Sequence, residues 1–205
     1  MISVAKNFIF IHVPKTAGNS IQDALRDFSE DEIVINSRTQ DGIDRFGVKN
    51  PNYQNLSKHS RMREYYNALG KQIENYYIFT SIRNPFDKLV SLYFSPHRTT
   101  VEWSEKSFVQ LVKKAPTLED FLTVERGIFF RRSFGKELVS KFLRFERMSE
   151  DFLSLCEDLN IKNVKLNHRN KSDFRLDYRS CYDRKLKEFV EMKHKFEIEL
   201  GDYEF

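Results

Sequence analysis

The chain has 205 residues, a net charge of +4, 40% hydrophobic and 14% aromatic residues, and 19 Phe. Such a chain is long and apolar enough for one domain with a sizeable core, which excludes a disordered protein. The charge is too small to argue for nucleic acid, two Cys do not make a disulfide framework or a zinc site, and no run of about 20 apolar residues marks a membrane span.

The N-terminal residues lead straight into Phe8-Ile-Phe-Ile-His-Val-Pro-Lys-Thr-Ala-Gly-Asn-Ser20. The apolar run Phe8 to Ile11, closed by turn residues, reads as a strand buried on both faces of a parallel sheet. Pro14 and Gly18 turn the chain, and Ser20 to Phe28 reads as a helix. Strand, tight loop and helix together cradle phosphate: the loop offers backbone N–H groups, the helix start is partly positive, and Lys15 adds a full charge. Thr16, Asn19 and Ser20 bring side-chain donors. A Walker A loop would place Lys directly before Ser or Thr. Here Lys15 precedes the Gly and Asn19 precedes Ser20, so a nucleoside triphosphate with its metal is not expected.

Residues 29 to 58 read as a loop region with one short strand, Glu32 to Ile35. Ser60 to Leu69 is helical, stopped by Gly70. Asn75 to Ile82 is the second clear strand. Asn84, Pro85 and Asp87 then form a helix start, with the helix running to about Phe94. Arg83 falls at the strand-to-helix junction, where open α/β sheets bind ligands. Ser91 lies one turn beyond Asp87 on the same helix face.

Residues 95 to 117 carry the only Trp, Trp103, and read as an insertion over the site with a helix at Glu105 to Lys114. Leu118 to Val124 is a short helix. Arg126, Arg131 and Arg132 beside Phe129 and Phe130 read as a solvated basic face, with contact to an acidic acceptor as the alternative. Phe142 to Glu146 is a third strand. Ser149 caps the next helix, whose apolar face is Phe152, Leu153, Cys156 and Leu159. Leu166 to Ser172 is a basic loop, and Tyr182 to Leu200 a final amphipathic helix. Alternating strands and helices imply crossovers and a central parallel sheet flanked by helices, in one domain over residues 1–205.

Pro14-Lys-Thr-Ala-Gly-Asn-Ser20 resembles the 5′-phosphosulfate loop of sulfotransferases that use 3′-phosphoadenosine 5′-phosphosulfate (PAPS). Thr80-Ser-Ile-Arg-Asn-Pro-Phe-Asp-Lys-Leu-Val-Ser-Leu-Tyr93 resembles their 3′-phosphate motif. The wording is nearest the branch that holds heparan 2-O-sulfotransferases and bacterial carbohydrate sulfotransferases. The Phe142 strand, the Asn170-Lys-Ser172 loop and the closing Tyr203-Glu-Phe205 resemble the same branch; the likeness is weak over 29–58 and 95–135.

The resemblance implies a P-loop-like three-layer α/β fold and transfer of a sulfuryl group from PAPS to a hydroxyl, a sugar hydroxyl in this branch. PAP, 3′-phosphoadenosine 5′-phosphate, is the product, and no metal is required. Pro14, Lys15, Thr16, Ala17, Gly18, Asn19 and Ser20 would surround the 5′-phosphate, with Ala17 and Gly18 contributing backbone only. Arg83 and Ser91 would take the 3′-phosphate, and Lys171 and Ser172 would close over the nucleotide. Lys15 would stabilise the leaving oxygen. An Arg83–Asp87 ion pair is the competing reading of Arg83.

The base is sought among five His. His12 reads as a satisfied core residue, with orientation of the loop as the alternative, and His194 as solvated. His59 lies between the two motifs, where related enzymes carry the His proposed to deprotonate the acceptor, and imidazole suits that task. His97 and His168 are its alternatives. Animal relatives are membrane-anchored Golgi proteins; without an anchor here, a cytoplasmic protein is expected. A P-loop kinase or NTPase, or a non-catalytic nucleotide binder, is the rival reading. Neither the acceptor nor the oligomeric state is legible.

Overall fold

In the computed structural model, the described residues are 1–34, 45–95, 102–126, 132–167 and 177–205. His97, His168, Lys171 and Ser172 lie outside them, as do Phe129, Phe130 and Arg131.

Ile2–Ser3 (β1) pairs antiparallel with Phe8–Ile11 (β2), an edge pairing that the sequence reading did not anticipate. The loop after β2 leads into Gly18–Leu25 (α1). Asp31–Val34 (β3) and Arg45–Val48 (β4) then form a two-stranded antiparallel ribbon where one strand and loop were expected. Met62–Leu69 (α2) ends at Gly70, whose φ of 56° suits glycine. Tyr77–Ile82 (β5) lies parallel to β2, and Pro85–Tyr93 (α3) follows it. Glu105–Lys114 (α4) matches the expected helix, and Leu118–Leu122 (α5) follows. Val124–Arg126 (β6) and Arg132–Phe134 (β7) form a hairpin that pairs Arg126 with Arg132. Val139–Arg144 (β8) completes the main sheet, parallel to β5. This strand begins and ends earlier than Phe142 to Glu146; Phe145–Arg147 is already a 3-10 turn into Met148–Asp158 (α6).

The main sheet has the order β1-β2-β5-β8, three parallel strands with an antiparallel edge. Strand alternation makes it the middle of three layers. Phe8, Phe10, Phe79 and Leu143 face Ile21 and Leu25 of α1 and Phe152 and Leu155 of α6. Ile9, Ile11, Ile78 and Ile82 face Met62, Tyr65 and Leu69 of α2 and Phe121 and Leu122 of α5. The fold is therefore α/β and P-loop-like, as the resemblance implied. A third cluster joins Phe86, Leu89 and Tyr93 of α3 to Phe108 and Val112 of α4. Cys156 is a buried free thiol, whereas Leu153, expected on the same apolar face, is 61% exposed.

The last expected helix is two: Arg184–Lys193 (α7) and Lys195–Gly201 (α8), hinged at His194. The hinge has a physical cause. Lys193 Nζ donates to the carbonyls of Val112, Lys113 and Ala115 at 2.9, 2.9 and 2.6 Å, and so satisfies the end of α4. The chain turns there, and His194 becomes buried instead of solvated, at 1% exposure.

Candidate active site

Parallel neighbours deliver their C-terminal ends to one edge of the sheet. Ile11 of β2 sits opposite Thr80 of β5, and Ile82 opposite Arg144 of β8. The loops that follow these three strands must therefore meet, and they do.

The loop after β2 is wound tightly. Lys15 and Ala17 have φ of 67° and 69°, left-handed values rare for residues with a Cβ. Each costs on the order of 1–3 kcal/mol, which the surroundings must offset. Ala17 is followed directly by helical Gly18, and this change of hand turns successive N–H groups toward one point. The start of α1 adds its partial positive charge there. The Ser20 and Ile21 N–H groups already bond the Ala17 carbonyl.

Thr16 anchors the loop. Its buried hydroxyl donates to the Val13 carbonyl at 2.8 Å and pairs with Ser81 Oγ at 2.7 Å. That side chain is thus committed to structure, and what Thr16 can offer a ligand is its backbone. Pro14, Lys15, Ala17 and Asn19 are partly exposed, while Gly18 and Ser20 are buried. Lys15 Nζ reaches the buried Ser95 Oγ at 3.5 Å, just past the end of α3.

Gly18 is required for space. A Cβ on it would stand 2.1 Å from Cδ2 and Nε2 of His12. The His12 ring cannot retreat, because it is buried and its Nδ1 hydrogen-bonds Gln22 Oε1 at 3.0 Å. Gly18→Ala would otherwise favour a helix by up to ~1 kcal/mol. Overpacking outweighs this at roughly 1–3 kcal/mol. The expected result is a lower melting temperature for Gly18→Ala in a thermal melt, and an unchanged or raised value would refute the packing argument.

Arg83 joins the second loop to the first. Its Nη1 donates to the Lys15 carbonyl at 3.0 Å, and Nε and Nη2 both meet Asp87 Oδ2 at 2.7 Å. The ring of Phe145 lies 4.0 Å from the guanidinium, so the turn after β8 closes the third side. The Asp87 ion pair is thus present. Of five guanidinium N–H groups it and the Lys15 carbonyl use three. Asn84 caps α3 as expected, accepting from the Phe86 N–H at 3.0 Å, with Pro85 next. Ser91, part-exposed, follows Asp87 by one turn of α3.

His59 comes to the same place from the turn before α2. That turn is fixed by the Ser57 N–H donating to Ser60 Oγ at 2.8 Å. His59 Nδ1–H donates to the His12 carbonyl at 3.1 Å, and the two imidazole centroids are 4.5 Å apart. The bond puts the proton on Nδ1 and the basic lone pair on Nε2. The His59 side is exposed while His12 is buried. Burial first, then the neighbouring His59 and Lys58, hold the His12 imidazole well below its ordinary range, so it stays neutral. His12 is the core residue the sequence suggested, with the added task of fixing Gly18 and His59.

A profile of the Sulfotransferase family matches residues 1–179. The chain belongs to the sulfotransferase family. Comparison with curated proteins and with solved structures returns no match. Sulfuryl transfer is the activity of the family, and a sulfate donor and a hydroxyl acceptor are its reactants. Both phosphate-type motifs of this sulfotransferase fall inside the matched region. Among its described residues no helix is long and apolar enough to cross a membrane.

Sequence reasoning did not single out Gln22, Ser81, Ser95, Phe145 or Lys88, which contact or support the candidate site. Only Gln22 left a local signal: it is one helical turn from Gly18, on the face that meets His12. The others act across strands and helices distant in sequence.

Proposed function

We propose that the chain transfers a sulfuryl group from PAPS to a carbohydrate hydroxyl by in-line displacement. One observation carries the reading: the left-handed Lys15 loop, the Arg83 fork and the His59 ring converge at the ends of β2 and β5. The acceptor oxygen attacks sulfur while its proton passes to His59 Nε2. The bond from sulfur to the bridging oxygen breaks, and its electron pair leaves on the 5′-phosphate of PAP. Lys15 supplies the counter-charge as that oxygen departs.

Backbone N–H groups from Thr16 to Asn19, with the Asn19 and Ser20 side chains, hold the 5′-phosphate; the Ser20 N–H itself closes the turn onto the Ala17 carbonyl. Pro14 shapes the turn. Arg83 and Ser91 take the 3′-phosphate, through the one N–H that each Nη of Arg83 keeps beyond its bonds to Lys15 and Asp87. Lys171 and Ser172 close over the nucleotide. Lys15, Arg83 and the N–H groups supply the positive charge, so the scheme asks for no metal ion.

The test is a thermal-shift and calorimetric comparison of PAP in EDTA with Mg-ATP. PAP alone is expected to stabilise the protein. Stabilisation by Mg-ATP alone would favour a P-loop kinase, and by neither a non-catalytic protein of the same fold. Arg83→Ala is expected to weaken PAP binding roughly 10- to 100-fold, the worth of one or two hydrogen bonds to a charged group. Unchanged affinity would remove Arg83 from the nucleotide site.

A further inference from the structure

The matched family region ends at residue 179, ahead of α7 and α8. Yet the residues beyond it grip the helix that carries the Arg83 motif. Lys88, inside that motif, is buried. Its Nζ donates to Glu197 Oε1 at 2.6 Å and also contacts Oε2, both groups being buried. Glu197 Oε2 in turn meets His194 Nδ1 at 3.3 Å. Burial raises the Glu197 carboxyl, but the Lys88 ammonium and His194 outweigh it and hold it ionised, below its ordinary value.

A second grip lies at the start of α3. Asn84 Nδ2 donates to the Glu204 carbonyl at 2.9 Å, and the Asn84 N–H donates to Glu146 Oε1 at 3.0 Å. Tyr203 Oη donates to the other oxygen of Glu146, also at 3.0 Å. The Phe205 ring packs edge-on against Phe86 at 4.8 Å. The two grips hold Asn84 and Lys88, which flank Arg83 and Asp87 along the chain.

We infer that residues 194–205 are a positioning clamp for the Arg83 junction, and that Lys88, Glu197 and Phe205 set donor-nucleotide affinity by fixing where the Arg83 fork stands. A buried ion pair suits this task better than it suits stability. Replacing such a pair by apolar residues of similar volume is often neutral for folding. The role left for a directional pair is to set which residues of the two helices face each other. The inference rests on the PAPS reading of the site.

The experiment is calorimetry with PAP in EDTA, beside thermal melts, on the full chain. The variants are Lys88→Met/Glu197→Met, Phe205→Ala, and Ile73→Ala. Ile73 is buried ahead of β5, outside the cluster that joins Phe86 to Phe205, and controls for lost stability. The double Met variant and Phe205→Ala are expected to bind PAP about tenfold or more weakly, the worth of one displaced hydrogen bond to a charged group. Ile73→Ala is expected to melt earlier and bind PAP as the wild type does. Wild-type affinity in both clamp variants would overturn the proposal. So would an equal loss in Ile73→Ala, which would make the effect one of stability. Failure of the wild type to bind PAP would instead sink the donor reading, so the two failures are told apart.

Discussion

His59→Ala is expected to keep near-wild-type PAP affinity and to lose roughly 10²–10⁴-fold in turnover, the usual worth of a positioned base. The geometry explains the separation. His59 is fixed by the His12 carbonyl while Arg83 holds the Lys15 carbonyl, so its removal leaves the Arg83–Lys15 link between the two loops in place. The same bond commits its Nδ1 proton, which leaves Nε2 as the atom that can accept one. The wild-type rate should rise with pH as one imidazole loses its proton. Only one is expected to contribute, because burial keeps the neighbouring His12 neutral. Steady-state kinetics with PAPS and an acceptor, beside PAP calorimetry, check both halves. Full turnover in His59→Ala would remove it as the base and return the role to His97, His168 or a carboxylate.

Lys15→Ala is expected to lower kcat on the order of 10²–10³-fold, as loss of one preorganised charge does. The backbone at Lys15 is left-handed whichever side chain it carries, so alanine adds no new strain there. What is lost is the ammonium that reaches toward Ser95 at 3.5 Å. Its charge is needed most when the bridging oxygen leaves, so the effect should fall on kcat. Arg83→Ala should fall on donor binding, because the 3′-phosphate does not react. Equal changes in KM alone for the two variants would undo this division of roles. The measurement is kcat and KM for PAPS in each.

Much of the site was legible because its signals are local. Pro14 to Ser20 and Asn84 to Asp87 read as turns and caps, whose chemistry depends on neighbours a few residues away. Both formed where the sequence put them, and so did helix α4. The Arg83–Asp87 pair is legible as an i,i+4 spacing, and it forms.

The misreadings share a cause. His194 sits among Lys and Glu in sequence, and charged neighbours argued for solvent. It is buried because Lys193 turns back onto the end of α4, a partner about 80 residues earlier. Thr16 was counted as a side-chain donor to phosphate; its hydroxyl is instead tied to Val13 and Ser81. No local pattern announces that Ser81 stands beside it, because β2 and β5 become neighbours only when the sheet forms.

By itself the sequence determined the strand–loop–helix units, the positive and polar groups at their junctions, and the family to which they belong. These rest on short-range sterics, capping and hydrophobic period, which the chain carries wherever it goes. Only the tertiary structure decided that His59 stands against His12, that Arg83 holds the Lys15 loop, and that Lys88 faces Glu197 instead of a ligand. Such pairings depend on strand order and on which face of each helix is buried. Both are set by the packing of the whole core, and no window of sequence contains it.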